Sequence, residues 1–244
     1  MSISVEDRVA LVTGANRGIG KAIVEAFIEN GAKKVYLAVR NPESTKALED
    51  EFGDKVVTLQ VDMSDADSIR RLSEAAPDVD IVVNNAGVLS VTSALDEDVE
   101  ATLTRELDVN VFGLLRVANA FASTLEKNKG ALVQLNSVAS IKSFPGVPTY
   151  SASKAASYSL TQALRHELGQ KGVNVLSVHP GPIATDMAAE AGLEETSPVS
   201  SVSEGIVSAL AAGDFHLFPD SFAKQYEAAY EGFSNEIVMS DASE

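Results

Sequence analysis

The chain has 244 residues, of which 45% are hydrophobic, and 19 Lys and Arg stand against 35 Asp and Glu, a formal charge of -16. That length and apolar content suffice to bury the core of one domain, or at most two. The negative balance disfavours nucleic acid and anionic membrane surfaces as partners. The absence of cysteine removes disulfides, thiolate zinc sites and thiol catalysis.

The opening residues, Met1 to Arg8, carry Glu6 and Asp7 and lead into a short apolar run, unlike a basic signal peptide. No stretch reaches the roughly 18 apolar residues of a spanning helix. The expectation is a soluble, cytoplasmic protein with a single domain over 1–244.

In chain order, Arg8 to Thr13 reads as a strand that meets Gly14, and Ile19, Ile23, Val24, Phe27 and Ile28 follow at helical spacing. Apolar runs at Val35 to Val39, Val56 to Val61, Ile81 to Val83, Ala131 to Leu135 and Val173 to Val178 continue the strands, with helix-like stretches between them. Pro42 opens a helix to about Glu51, and Ser64 or Asp65 caps another to about Ala75. Two longer helices are expected over Asp96 to Asp108 and Val111 to Lys127, and another from near Tyr150. The polar stretch 186–200 reads as a lid, followed by a helix and a last strand near Phe215 to Phe218. The acidic tail 221–244 reads as partly helical at best. Such alternation predicts an α/β fold, a Rossmann-type doubly wound parallel sheet with helices on both faces.

Three clusters carry chemistry. Thr13-Gly14-Ala15-Asn16-Arg17-Gly18-Ile19-Gly20 lies between a strand and a helix, where glycines let the backbone approach a pyrophosphate held at the helix N-terminus. Tyr150 and Lys154 are four apart and share one helix face. An ammonium beside a phenol is expected to lower its pKa from near 10, suiting the pair to proton exchange with a carbonyl or alcohol oxygen. Ser137, at the carboxyl end of a strand, is placed to hold the same oxygen.

The glycine spacing departs from the GxGxxG dinucleotide fingerprint and resembles instead the TGxxxGxG loop of the short-chain dehydrogenase/reductase family. The resemblance extends through Asn84-Asn85-Ala86-Gly87 after the fourth strand, Asn110 at a helix start, Ser137, the YxxxK of Tyr150 and Lys154, and Pro180-Gly181 with Ile183 and Thr185. The family's glycine-rich ending after the seventh strand is missing; His216-Leu217-Phe218-Pro219 leads into the acidic tail, which leaves pocket closure and one oligomer contact open.

By resemblance, Ser137, Tyr150 and Lys154 are catalytic and Asn110 supports a proton-relay water. The cofactor site is Gly14, Asn16, Arg17, Gly18, Ile19, Gly20, Arg40, Asp62, Asn85, Ala86, Gly87, Tyr150, Lys154, Pro180, Gly181, Ile183 and Thr185. The family's NAD-selecting carboxylate falls at or near Val39, where there is none, and Arg40 stands beside it. With Arg17 it forms a pair of guanidinium groups suited to a 2′-phosphate, so NADP(H) is the expected cofactor. Asp62 resembles an adenine-contacting Asp, and equally a helix cap.

His166, His179 and His216 lack carboxylates at ligand spacing, so no metal is expected. Glu194-Glu195 and Asp96-Glu97-Asp98 read as solvated faces. The expectation is an NADPH-dependent reductase of small or medium ketones and aldehydes, acting as a homodimer or homotetramer. One rival is a 3-oxoacyl carrier-protein reductase, whose acidic partner calls for a basic patch such as Arg116, Lys127 and Lys129. Another is a non-catalytic NADP-sensing regulatory protein on the same fold.

Overall fold

The computed structural model describes residues 2–239. Seven parallel strands form one sheet: β1 (Val9–Thr13), β2 (Lys34–Val39), β3 (Val56–Gln60), β4 (Ile81–Asn84), β5 (Ala131–Leu135), β6 (Asn174–Val178) and β7 (His216–Leu217). Their order is β3-β2-β1-β4-β5-β6-β7. The helices are α1 (Gly18–Glu29), α2 (Lys46–Phe52), α3 (Ala66–Ala75), α4 (Val99–Leu107), α5 (Gly113–Asn128), α6 (Pro148–Gln170), α7 (Asp186–Glu190), α8 (Val199–Ala212) and α9 (Ser221–Phe233).

The strands are apolar on both faces because both are covered. Ala10 and Val12 join Ile23 and Phe27 of α1 and Ile206 and Leu210 of α8 in one core. Val9 and Leu11, pointing the other way, join Leu114, Val117 and Phe121 of α5 and Tyr158 of α6 in the second. The expected doubly wound architecture is thus present. Among the described residues, no helix is long and apolar enough to cross a membrane.

Several boundaries differ from expectation for identifiable reasons. α4 begins at Val99 rather than Asp96 because the Asp96 carboxylate accepts from Thr92 Oγ1 at 2.8 Å and Ser93 N at 2.6 Å, closing a turn. α4 and α5 are not separate helices: a π-helical turn over Asp108–Phe112 joins them, so Asn110 lies inside a helical path and does not open a helix. The segment from Pro42 begins as a 3-10 turn, Pro42–Thr45, with Asn41 capping it through Glu43 N. Asp65 caps α3, which leaves Asp62 free of that duty.

The largest correction is the tail, which is helical from Ser221 through Val238 within the described residues; 240–244 of the expected tail lie outside them. Asp220 starts α9 by accepting from Ala223 N at 2.9 Å and from Gly181 N at 2.8 Å. Phe222, Tyr226 and Tyr230 then recur every four residues and turn one face inward. The Phe144 ring lies 6.3 Å from Phe222 and 6.2 Å from Tyr226. Tyr158 Oη lies 2.7 Å from His216 Nε2 and 3.2 Å from Tyr230 Oη, and Ser234 Oγ lies 3.2 Å from His216 Nδ1.

His179, at the end of β6, stacks on Phe218 with ring centroids 5.0 Å apart. Burial pushes its imidazole down to about 3, and burial assisted by Arg165 pushes His216 down to about 4. Both stay neutral while folded and take up protons when released, so below 6.5 the unfolded chain binds more protons than the native one. Stability contributed by this pair is therefore present above 6.5 and lost as pH falls towards 4. Thermal melts across that window should show a falling Tm, with a shallower fall in His216→Gln.

Candidate active site

In an open parallel sheet the ligand crevice lies beyond the carboxyl ends of the strands, where the winding reverses. Here that point is between β1 and β4. Thr13 ties the two strand ends together: its Oγ1 accepts from Asn85 N and Ala86 N, both at 3.0 Å. Asn85 Nδ2 in turn donates to Thr13 O at 2.9 Å and Gly14 O at 3.3 Å. The Asn85 side chain is thus spent on shaping the glycine turn. Gly14 sits at φ +67°, and a Cβ at Gly20 would stand 2.1 Å from Gly14 O, so turn and helix pack too closely for any side chain. The first N–H groups of α1 have no partner within the helix and open towards this turn.

The 180–185 loop closes over the glycine turn. A Cβ at Gly18 would meet Thr185 Cγ2 at 3.1 Å. Thr185 Oγ1 accepts from Ala188 N at 3.3 Å, capping α7, and Ile183 is buried and bridged to Ser197. Pro180 O accepts from Val138 N at 3.0 Å and lies 3.4 Å from Ser137 Oγ. Arg17 is exposed and pairs with Asp186 of α7 at 2.9 Å. Arg40, at the end of β2, is also exposed and no carboxylate precedes it on that strand. Asp62 accepts from Ser64 N at 2.9 Å and Ser64 Oγ at 2.6 Å, which together hold its carboxyl below its ordinary range, with the Arg40 charge adding to the effect.

The residues expected to handle the proton lie on the other side of the crevice. Lys154 Nζ is buried and donates to Leu135 O at 2.7 Å, 5.7 Å from the centre of the Tyr150 ring. A Cβ at Gly87 would stand 3.1 Å from Asn110 Oδ1 and 3.7 Å from Lys154 Nζ, which puts the fourth-strand loop against both. Asn110 grips that loop through Val88, accepting from its N and donating to its O, both at 2.9 Å, and also donates to Ser153 Oγ. The π turn supplies this reach, since its extra residue swings Asn110 out of the α4 register. Ser137 Oγ accepts from Ala139 N at 3.1 Å.

The electrostatics correct one expectation. Lys154 does not lower the Tyr150 pKa here; desolvation pushes the phenol up to about 12, partly offset by a Ser137 hydrogen bond and reinforced by the charge of Glu106. Desolvation pushes the Lys154 ammonium down to about 8, near enough to neutrality for it to exchange a proton at working pH. Among the described residues no group of three His, Asp or Glu could hold a metal ion.

Of the basic cluster that the carrier-protein reading calls for, Lys127 and Lys129 are exposed and Arg116 is paired with a carboxylate. Arg116 is drawn inward by Asp108 at 2.8 Å and by Met63 O at 3.0 Å, and Lys129 donates to Lys171 O at 3.0 Å. Two contributors escaped the sequence reading. Glu106 is fully buried beside the fourth-strand loop, and α9 brings Phe222 and Tyr226 to the Ser137 side. The four-residue spacing of Phe222, Tyr226 and Tyr230 was the signal for the second; none marked the first.

A nucleotide-binding crevice with Ser, Tyr and Lys gathered at its rim defines an oxidoreductase class. The family model described as short chain dehydrogenase matches residues 8–196. The chain belongs to that family. A short chain dehydrogenase from Burkholderia cenocepacia, solved in complex with NADP, superposes with a TM-score of 0.86 at 31% identity, covering 98% of this chain and 100% of that one. An uncharacterized oxidoreductase of Staphylococcus saprophyticus is 34% identical over 77% of this chain and 83% of its own. A 3-oxoacyl-[acyl-carrier-protein] reductase of Synechocystis is 35% identical over 74% of this chain and 76% of its own.

Tyr150→Phe removes the transferable proton and little else. Oxidoreductase turnover should fall by about three orders of magnitude or more while nucleotide binding, followed by fluorescence, stays within a few-fold.

Proposed function

We propose that the chain is an NADPH-dependent reductase that interconverts small or medium uncharged ketones and aldehydes, aryl ones included, with their alcohols. The observation that carries this reading is the apolar wall beside Ser137 and Tyr150. Val138, Ile141 and Phe144 follow Ser137, and Phe222 and Tyr226 of α9 pack against them. A Cβ on Gly181 would meet Phe222 at 2.8 Å, so the helix closes directly on the loop after β6. Segment 186–200 acts as the lid; it carries Asp186, Glu190, Glu194 and Glu195 and no cation. Lys142 is exposed and lies 5.8 Å from the centre of the Phe144 ring. A carboxylate or phosphate on the substrate would meet the lid carboxylates, with the solvent-exposed Lys142 as the cation beside the wall.

The glycine turn, the α1 N-terminus and Gly87 fit a dinucleotide, which supplies the hydride. Tyr150 Oη gives the proton to the carbonyl oxygen, and its elevated pKa keeps that proton in place until the substrate accepts it. Ser137 orients the same oxygen. Lys154, whose ammonium titrates near neutrality, restores the proton to Tyr150 from the Asn110 side. The choice of NADPH is supported by Arg40 and Arg17, by the missing carboxylate on β2, and by the NADP complex of the Burkholderia relative. Arg17 and Arg40 would hold the 2′-phosphate, with Arg17 released from Asp186 to do so.

A second reading, reduction of 3-oxoacyl groups on a carrier protein, is favoured by the Synechocystis relative. The inward turn of Arg116 and the charge of -16 speak against docking an acidic carrier.

Two measurements decide these points. Arg40→Ala should weaken NADPH by about tenfold or more and NADH hardly at all, since only the former carries the phosphate; equal losses would make Arg40 structural. The kcat/KM for an aryl ketone should exceed that for a 3-oxoacyl thioester, and a clear preference for the thioester would establish the second reading.

A further inference from the structure

We propose that Asp220 determines the size of the carbonyl compound the site accepts: its carboxylate joins α9 to the loop after β6 and so fixes how far the aromatic wall stands from Ser137. Asp220 is a positioning residue, acting through the two segments it ties, and the inference rests on the reductase reading above.

The joint uses two acceptors at once. Asp220 is 4% exposed. Its Oδ2 accepts from Gly181 N at 2.8 Å and its Oδ1 from Ala223 N at 2.9 Å, so one carboxylate holds both the loop after β6 and the first turn of α9. A side chain with a single acceptor oxygen has only one of these bonds to give. The approach leaves no room for a spacer: a Cβ on Gly181 would stand 2.7 Å from Asp220 Oδ1 and 2.8 Å from Phe222 Cδ1.

Both ends of the joint lead to the proposed chemistry. On the loop side, Pro180 O accepts from Val138 N at 3.0 Å and lies 3.4 Å from Ser137 Oγ. On the helix side, the rings of Phe222 and Tyr226 lie 6.3 and 6.2 Å from that of Phe144, in one cluster with Val138. The contacts close a circuit from Ser137 through Pro180, Gly181 and Asp220 to α9, and back through Phe144. Tilted rings tolerate a range of separations, whereas hydrogen bonds have a narrow one, so the polar joint sets the spacing. Further along, Tyr230 Oη lies 3.2 Å from Tyr158 Oη and anchors α9 independently. Without Asp220 the N–H groups of Gly181 and Ala223 must find water instead, which parts the loop from the start of the helix. With the Tyr230 anchor kept, the turns that carry Phe222 and Tyr226 swing back. A larger ligand is then admitted, and a small one loses its wall.

Asp220→Ala tests this with two substrates, phenyl methyl ketone and the longer biphenyl methyl ketone, at saturating NADPH. The ratio of their kcat/KM values does not depend on how much of the enzyme is folded, so a general loss of structure leaves it unmoved. It should shift towards the biphenyl ketone by about tenfold, the scale on which an apolar pocket discriminates size. Gly181→Ala, which forces Asp220 and Phe222 off the loop, should shift it the same way, and is read alone should Asp220→Ala not fold. Asp220→Asn keeps a good helix cap but one acceptor oxygen, so its ratio should fall between. Hydrogen exchange reads the joint without a substrate: in Asp220→Ala, residues 180–185 and 221–230 should exchange faster together while α5 stays protected. If the unaltered chain reduces neither ketone but this exchange rises, the reductase reading fails and the joint stands. A ratio unmoved in folded Asp220→Ala, or Asp220→Asn indistinguishable from the unaltered chain, would reduce Asp220 to a helix cap and overturn the proposal.

Discussion

The reversal of winding between β1 and β4 is the constraint on which the rest depends. Helices on either side diverge there, so the carboxyl ends of the central strands are left open to a ligand. An open crevice at the ends of buried strands exposes backbone groups that must find partners. Thr13 supplies one solution by receiving two N–H groups from the fourth-strand loop, and Asn85 returns two bonds to the glycine turn. The glycines are then required by closeness as much as by ligand.

Beneath the crevice runs a line of buried polar side chains. Asn84 donates to Gln134 at 2.8 Å, Gln134 to Ser157 at 3.2 Å and Ser157 to Asn136 at 2.9 Å. Asn136 donates to Ser177 at 2.9 Å, and Ser177 Oγ lies 2.8 Å from His179 Nε2. Ser140 Oγ already donates to Ser137 O, so the His179 Nδ1 beside it, at 3.0 Å, acts as a donor and Nε2 as the acceptor. Each group is satisfied by the next, which makes the line stiff and directional. It ends on the backbone of Ser137, so the position of that hydroxyl is tied to the strands on both sides of β5.

The strands were legible because burial on both faces writes nearly continuous apolar runs, and the turns because glycine, proline and aspartate mark them. The crevice residues were legible because their spacing is tied to strand and helix ends. What stayed hidden depended on contact across the fold. The π turn at Asp108–Phe112 has no residue signal of its own, although it is what brings Asn110 to Val88. The tail was read by its acidity, although Phe222, Tyr226 and Tyr230 form the inward face of α9. Arg116 looked like surface charge until Asp108 and Met63 O drew it inward. Glu106 looked like one more acid on a polar helix, and its burial is set by α6, more than forty positions later in the chain.

Charge in this molecule therefore works locally against its average. A chain at -16 places a buried ammonium at the centre of its site, where desolvation weakens it, and a buried carboxylate one helix away. Were Lys154 fully hydrated, its charge would favour a Tyr150 phenolate and the pair would suit taking a proton from an alcohol. Burial reverses that preference twice, by disfavouring the phenolate directly and by bringing the ammonium closer to its neutral form. Segment 186–200 adds Asp186, Glu190, Glu194 and Glu195 and no cation. Arg17 and Arg40 stand exposed at the glycine-turn end of the crevice, and Asp186 of that segment holds Arg17 at 2.9 Å, so the opposing charges meet there rather than at separate ends.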